Sequence, residues 1–213
     1  MSPTASNNPV RRVTRRRAQT RDRLLGAAYE VFAEEGFGRA TVEQVCERAG
    51  FTRGAFYSNF GSLDELFLAM WESRSARLLA DVRTAVEEMG EWHGTLRAAI
   101  ERLVKVVPVD EAWFRITAEF TAHALRTAPL RKVVAAREAA IVAALMPPFV
   151  AVLDRNGRTV PDPDALGQAL VAVHDGTATQ VLLEPRSRAV KQRRVDLFHH
   201  IVLAYSTEIE GWP

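Results

Sequence analysis

The chain has 213 residues, 47% of them hydrophobic and 25% charged, a balance that supports a packed core and excludes a disordered or fibrous chain. Net charge is only +2, yet residues 1–23 carry seven arginines against the single acid Asp22, so a basic segment precedes a mildly acidic remainder and points to an anionic partner near the N-terminus. The single cysteine, Cys46, excludes an internal disulfide and suits a reducing compartment.

Helical periodicity dominates and no strand is predicted. Residues 1–14 are polar and Pro-bearing and read as a disordered basic arm. A first helix is predicted from about Arg15 to Glu35, with Leu24, Leu25, Ala28, Val31 and Phe32 recurring on one face and Gly36 closing it. A second starts after Thr41 as N-cap. Its Val42, Val45, Cys46 and Ala49 fall at i, i+3, i+4 and i+7, which makes Cys46 a small buried hydrophobe, and Gly50 ends it. A third runs from Thr52 to Phe60–Gly61, and Ser62 caps a fourth that reaches about Met89. Five more helices are expected over 93–107, 110–126, 128–155, 163–183 and 188–210, separated by Pro108, Pro129, the turn "RNGRTVPDP" and Pro185. Pro147–Pro148 should kink or interrupt the 128–155 segment. The chain thus reads as all-α with about nine helices: an arm over 1–14, a compact three-helix unit over 15–61, and a larger helical body over 62–213.

The opening "MSPTASNNPV" has no apolar signal-peptide run. The longest uncharged run, 139–153, is 15 residues broken by two prolines, too short for a bilayer. A cytoplasmic protein with no membrane partner is expected. There is no GxSxG, P-loop, HExxH or CxxC, and the adjacent His199 and His200 diverge by about 100° on a helix. No catalytic activity, metal or cofactor is expected.

Two helices of about eight residues joined through Gly50-Phe51-Thr52 have helix-turn-helix dimensions. Thr52 can cap the second helix and reach a phosphate, and Arg53 offers a fork of donors to guanine edges or phosphates. Gly54 lets the backbone approach a duplex closely. Phe56 and Phe60, four apart, face inward, while Tyr57 turns its hydroxyl outward.

The span "TVEQVCERAGFTRGAFYSNFGSLDELF", 41–67, resembles the DNA-binding segment of the TetR family of bacterial transcriptional regulators, with Thr41-Val42, Ala49-Gly50, Thr52, Gly54, Tyr57, Phe60, Glu65 and Leu66 on the family pattern. With the first helix, the resemblance covers about residues 18–70. It implies that Thr41 caps its helix and meets phosphate, that Thr52, Arg53, Gly54 and Ala55 read bases, and that Tyr57 binds phosphate. Asn59 stands where the family usually has His and can still donate to phosphate; Leu63 stands where it usually has Lys and cannot. Arg15, Arg16 and Arg17 of the basic segment are assigned to double-stranded DNA.

In the helical body, Ala165, Ala169, Ala172, Gly176 and Thr179 form a stripe of small residues, and Val195, Phe198, Val202, Tyr205 and Ile209 an apolar stripe on the last helix. Both stripes could be intrachain core. The preferred reading pairs these helices with their copies in a homodimer, through Ala169, Ala172, Gly176, Phe198, Val202 and Tyr205, to match a pseudo-palindromic operator. The resemblance implies a small-molecule inducer as well, largely apolar, in a pocket drawn from Trp113, Phe120, His123, Met146, Phe149 and His174. The expected function is a DNA-binding repressor released by that ligand. An accessory protein whose helical body binds a protein or acyl ligand is the alternative.

Overall fold

The computed structural model describes residues 9–89, 94–107 and 109–211, with side-chain surroundings from Arg16 onward. Residues 1–8 of the expected arm and the Arg15 side chain lie outside the described residues. Nine helices occur among them: α1 Pro9–Glu35, α2 Val42–Ala49, α3 Arg53–Tyr57, α4 Leu63–Met89, α5 Leu96–Val106, α6 Glu111–Ala124, α7 Ala128–Asp154, α8 Pro163–Leu183 and α9 Arg188–Ala204. The all-α expectation holds, with one small addition: the two-residue strands β1 Arg158–Thr159 and β2 Thr207–Glu208 pair antiparallel. α1 starts at Pro9, so residues 9–14 are helical where a disordered arm was expected; proline suits a first helical turn because its missing N–H would be unpaired there.

The chain divides into two compact units, Met1–Arg74 with Arg115–His123, and Ser75–Phe114 with Ala124–Pro213. The first is larger than the expected 15–61, because the start of α4 and most of α6 belong to it. Its core is aromatic. Phe67 of α4 and Phe120 of α6 stack at 3.7 Å between centroids, and Phe37, just after α1, meets Phe120 edge-on at 4.9 Å. Gly36 makes the turn into Phe37 with φ +83°, a backbone conformation that favours glycine; the Glu119 carboxylate, 2.7 Å from where a Cβ would sit, is the movable end of an exposed side chain. The His123 Nε2 lies 3.2 Å from the Asp64 carboxylate at the start of α4. Phe120 and His123 therefore leave the expected ligand pocket, since one is fully buried in this core and the other is paired at its edge.

In the second unit, Val82, Val86 and Met89 of α4 pack with Ala99 and Leu103 of α5 and Val152 of α7. A neighbouring cluster joins Ile100, Met146, Leu153, Leu166 and Val202. Val202 is fully buried there and serves the intrachain core, and Phe198 is half-buried against the same cluster. α8 lies close on α7 at Gly167, where a Cβ would sit 2.4 Å from Val142 Cγ1.

Two expected helix ends differ from the structure. Pro147 and Pro148 do not interrupt α7, which runs on through them to Asp154 while Met146 and Leu153 on either side anchor it in the core. α7 is also long and apolar enough by composition to cross a membrane, with mean hydropathy 1.6 over its most apolar window, 11% of which is buried. α9 stops at Ala204 instead of about 210 because Arg158 captures the chain beyond it. The Arg158 guanidinium donates to Ser206 Oγ and to the Ser206 carbonyl, both at 2.7 Å, and the Ser206 hydroxyl donates back to the Val202 carbonyl. That draws residues 207–208 out into β2.

Replacing Phe120 with alanine should cost about 3–5 kcal/mol, as for other buried Phe truncations, because its ring contacts go with it. Urea denaturation of the full chain measures it; a loss below about 1 kcal/mol would show that Phe120 is not a core residue.

Candidate nucleic-acid interface

α2 is defined by its caps. Thr41 Oγ1 accepts from the Gln44 amide at 3.2 Å while Gln44 Oε1 accepts from the Thr41 amide at 2.8 Å, a reciprocal capping box. Gly50 ends the helix in the left-handed region at φ +69°, and the Phe51 amide returns to the Cys46 carbonyl at 2.9 Å. Val45, Cys46 and Ala49 are the buried face, and burial pushes the Cys46 thiol above its ordinary pKa, as suits an inert core residue.

α3 is only five residues long, shorter than expected, with Thr52 as N-cap accepting from the Ala55 amide at 3.2 Å. It divides as the sequence implied. Phe56 and Phe60 are buried, while Tyr57 is 50% exposed. Thr41, Thr52, Arg53 and Gly54 are exposed and Ala55 is half-buried. A Cβ on Gly54 would meet nothing nearer than Thr52 Oγ1 at 3.7 Å, so nothing inside the protein requires glycine there.

Arg53 is held in place. Its NH1 lies 2.7 Å from the Glu43 carboxylate, and its guanidinium lies 5.8 Å from the Tyr57 ring centroid. Glu43 was not singled out in the sequence; ten residues separate the pair, and only the turn between α2 and α3 brings them together.

The arginines of α1 carry a second surprise. Arg23 donates to the Ala49 carbonyl at 2.7 Å, Arg17 to the Ser58 carbonyl at 3.3 Å, and Arg21 to the Asn59 carbonyl at 3.4 Å. These are the C-terminal ends of α2 and α3, where carbonyls lack partners and the helix dipole favours a cation. Arg17, expected to contact DNA, thus braces α3 in this conformation. The Arg16 side chain is exposed. Asn59 also differs from expectation: its Nδ2 donates to the Ala55 carbonyl at 2.8 Å, so the donor assigned to phosphate is engaged within α3, and its Oδ1 is buried without a partner.

The remaining expected pocket residues do not form one cavity. Trp113 is half-buried at the start of α6, where its amide bonds the Asp110 carboxylate; Met146 and Phe149 pack in the core of the second unit. His174 of α8 meets a side chain the sequence reading passed over. Arg194 of α9 is 4% exposed; its NH2 lies 2.9 Å from His174 Nδ1, and its NH1 donates to Thr177 Oγ1 and the His174 carbonyl. A guanidinium only donates, so Nδ1 accepts and the His174 proton sits on Nε2. Arg194 looked solvated within "KQRR", yet Val190, Arg194, Phe198 and Val202 recur at four-residue steps, and that stripe was the available signal. A cavity of about 590 Å³ opens beside Arg194 between α5, α8 and α9, and none of the expected pocket residues lines it.

Two predictions follow from these geometries. Gly54→Ala should leave stability unchanged or raise it by up to about 1 kcal/mol, as alanine does in helices, while weakening DNA binding by roughly tenfold through one obstructed close contact. Thermal melts and binding isotherms separate the effects; unaltered binding would show that no close approach occurs. Burial, then the nearby Arg194 charge, holds His174 down to a pKa of about 4, whereas the unfolded chain takes up that proton near 6.5. Its contribution to stability is therefore complete above about pH 6.5 and is lost as pH falls toward 4, up to about 3 kcal/mol in all. His174→Gln should flatten the pH dependence of unfolding across that window, followed by denaturant titration at stepped pH.

Residues 24–70 match the family described as "Bacterial regulatory proteins, tetR family", and residues 92–204 match "BetI-type transcriptional repressor, C-terminal". The HTH-type transcriptional activator FasR of Mycolicibacterium smegmatis is 32% identical over 103 residues, 48% of this chain and 47% of FasR. The HTH-type transcriptional regulator SrpR of Pseudomonas putida is 34% identical over 83 residues, 39% of each chain. The chain spans less than half the length of these relatives. In fold it is similar to a TetR-family regulator from Mesorhizobium loti, with TM-score 0.71, 16% identity, and coverage of 90% of this chain and 99% of the other. From the capped helix-turn-helix through the helical body, the chain belongs to the TetR family of bacterial transcriptional regulators.

Proposed function

We propose that this chain is a sequence-specific DNA-binding regulator that acts in the cytoplasm as a homodimer on a pseudo-palindromic operator, and that it is a repressor released by a small-molecule ligand. The observation that carries the reading is the exposed Thr52-Arg53-Gly54 turn, in which glycine has no internal reason and Arg53 is positioned by Glu43. The BetI-type repressor match over the second unit supports repression; FasR, an activator, is similar over less of the chain.

Regulators of this family typically act as homodimers. Of the expected dimer residues, Ala172, Gly176 and Tyr205 are exposed, Ala169 and Phe198 are half-buried, and Val202 serves the core. Val171 and Leu183 of α8 and Leu197 and Leu203 of α9 are large exposed apolar side chains that a second copy would cover. α4 and α6 each contribute residues to both units, so a ligand that favours one arrangement of the second unit can bias the recognition helix through them.

The test is an electrophoretic mobility shift on the DNA upstream of the protein's own gene. The wild-type chain should give a sequence-specific shift, Arg53→Ala should weaken it by about 1–3 kcal/mol, and Tyr57→Phe by less. Absence of a specific shift on any candidate operator would sink the reading.

A further inference from the structure

The second unit keeps a buried positive charge without a counter-ion. Arg194 is 4% exposed, and its described partners carry no negative charge: Thr177 Oγ1, the His174 carbonyl, the neutral His174 ring, and the Phe198 ring, whose centroid lies 5.0 Å from the guanidinium carbon. Among the described residues no carboxylate lies within ion-pair distance of it; Asp175 acts on it only at longer range. Its Nε–H and second NH2 hydrogen have no protein partner there. A charge so buried is retained where something pairs with it.

Arg194 lies against the cavity between α5, α8 and α9, whose volume of about 590 Å³ falls in the range of small-molecule sites. Three further cations, Lys105, Arg188 and Lys191, line the same cavity. The acid in the lining, Glu101, is already met by Arg97 at 3.3 Å. Between the charges lie Val104, Val107, Val181 and Val195. Valines alone would admit any apolar molecule; cations alone would admit any anion. Their combination around a buried guanidinium selects a molecule that is both.

We propose that this cavity binds an amphipathic anion, a carboxylate or phosphate group on an apolar chain or ring, with the anionic group on Arg194 and the apolar part along the valines. The proposal deepens the effector reading above and rests on it only for the consequence of binding. A cationic ligand is repelled by four like charges, and a neutral apolar one leaves Arg194 without a counter-ion. Arg188 and Lys191, exposed at the rim, steer the anion inward.

Isothermal titration calorimetry on the full chain tests it with octanoate and octyl phosphate against octanol, octylammonium and acetate. Both octyl anions should bind, with the better of them identifying the headgroup; octanol and octylammonium should bind at least about tenfold more weakly, and acetate not measurably. Arg188→Glu with Lys191→Glu, both exposed, should weaken octyl-anion binding about tenfold or more without loss of thermal stability. Arg194→Gln, checked for folding by circular dichroism, should abolish it. Equal affinity for octanol and octanoate, no binding of either anion, or an unchanged affinity in the rim variant overturns the proposal. Operator affinity measured with and without the octyl anion separates the two readings. Binding without release from DNA upholds the cavity and sinks its effector role, whereas release by some other compound with no octyl-anion binding does the reverse.

Discussion

A helix of five residues cannot hold itself in water, because nucleating its first turn costs more than so few hydrogen bonds return. The geometry of α3 is therefore imposed from outside, and the first unit is organised to impose it. Phe56 and Phe60 fix the inner face by burial, and Phe60 is also covered by the Arg21 guanidinium at 4.4 Å from its ring centroid. Thr52 closes the front of the helix, and Arg17 and Arg21 hold the carbonyls behind it. Arg53 is then displayed from a backbone with little freedom left, and its exposed side chain lies 2.7 Å from the Glu43 carboxylate. Pre-ordering of this kind lowers the entropy lost when such a turn meets a partner.

The parts legible in the sequence are those governed by neighbours three or four residues apart. Thr41 with Gln44, Thr52 with Ala55 and the Gly50 turn are local hydrogen-bonding patterns that residue type and spacing determine. The inward and outward halves of α3 follow from the same periodicity. What could not be read was which distant surface each apolar face would meet. Phe120 has the composition of a pocket residue and of a core residue alike, and only the stacking on Phe67, 53 positions earlier, decides between them. The end of α9 depended on Arg158, 48 residues upstream of Ser206. The helix likewise does not end at Pro147–Pro148, where Met146 and Leu153 on either side pack in the core.

The site was legible to a similar degree. Sequence spacing placed Thr41, Thr52, Arg53, Gly54 and Tyr57 at the surface, and the structure agrees. It did not foresee that the Asn59 amide is engaged by the Ala55 carbonyl of α3, and it overlooked Arg194, hidden in a run of basic residues that resembles a solvated face. Both omissions have one origin. A polar side chain's partner cannot be inferred from its chemistry alone when its own backbone or a second helix competes with solvent for it.

The arginines of α1 bear on how this protein would respond to its ionic surroundings. A duplex-binding protein loses about 0.9 log units of affinity per log unit of salt for each phosphate it neutralises, because condensed cations return to the DNA as the charges withdraw. Counting the basic residues of the N-terminal segment would forecast a steep response. Yet Arg17, Arg21 and Arg23 face the negative ends of α2 and α3, and their charge is already partly answered within the fold. If these arginines keep their partners on DNA, fewer counterions would be displaced than the composition suggests, and binding would tolerate a wider range of ionic strength than seven free arginines would allow.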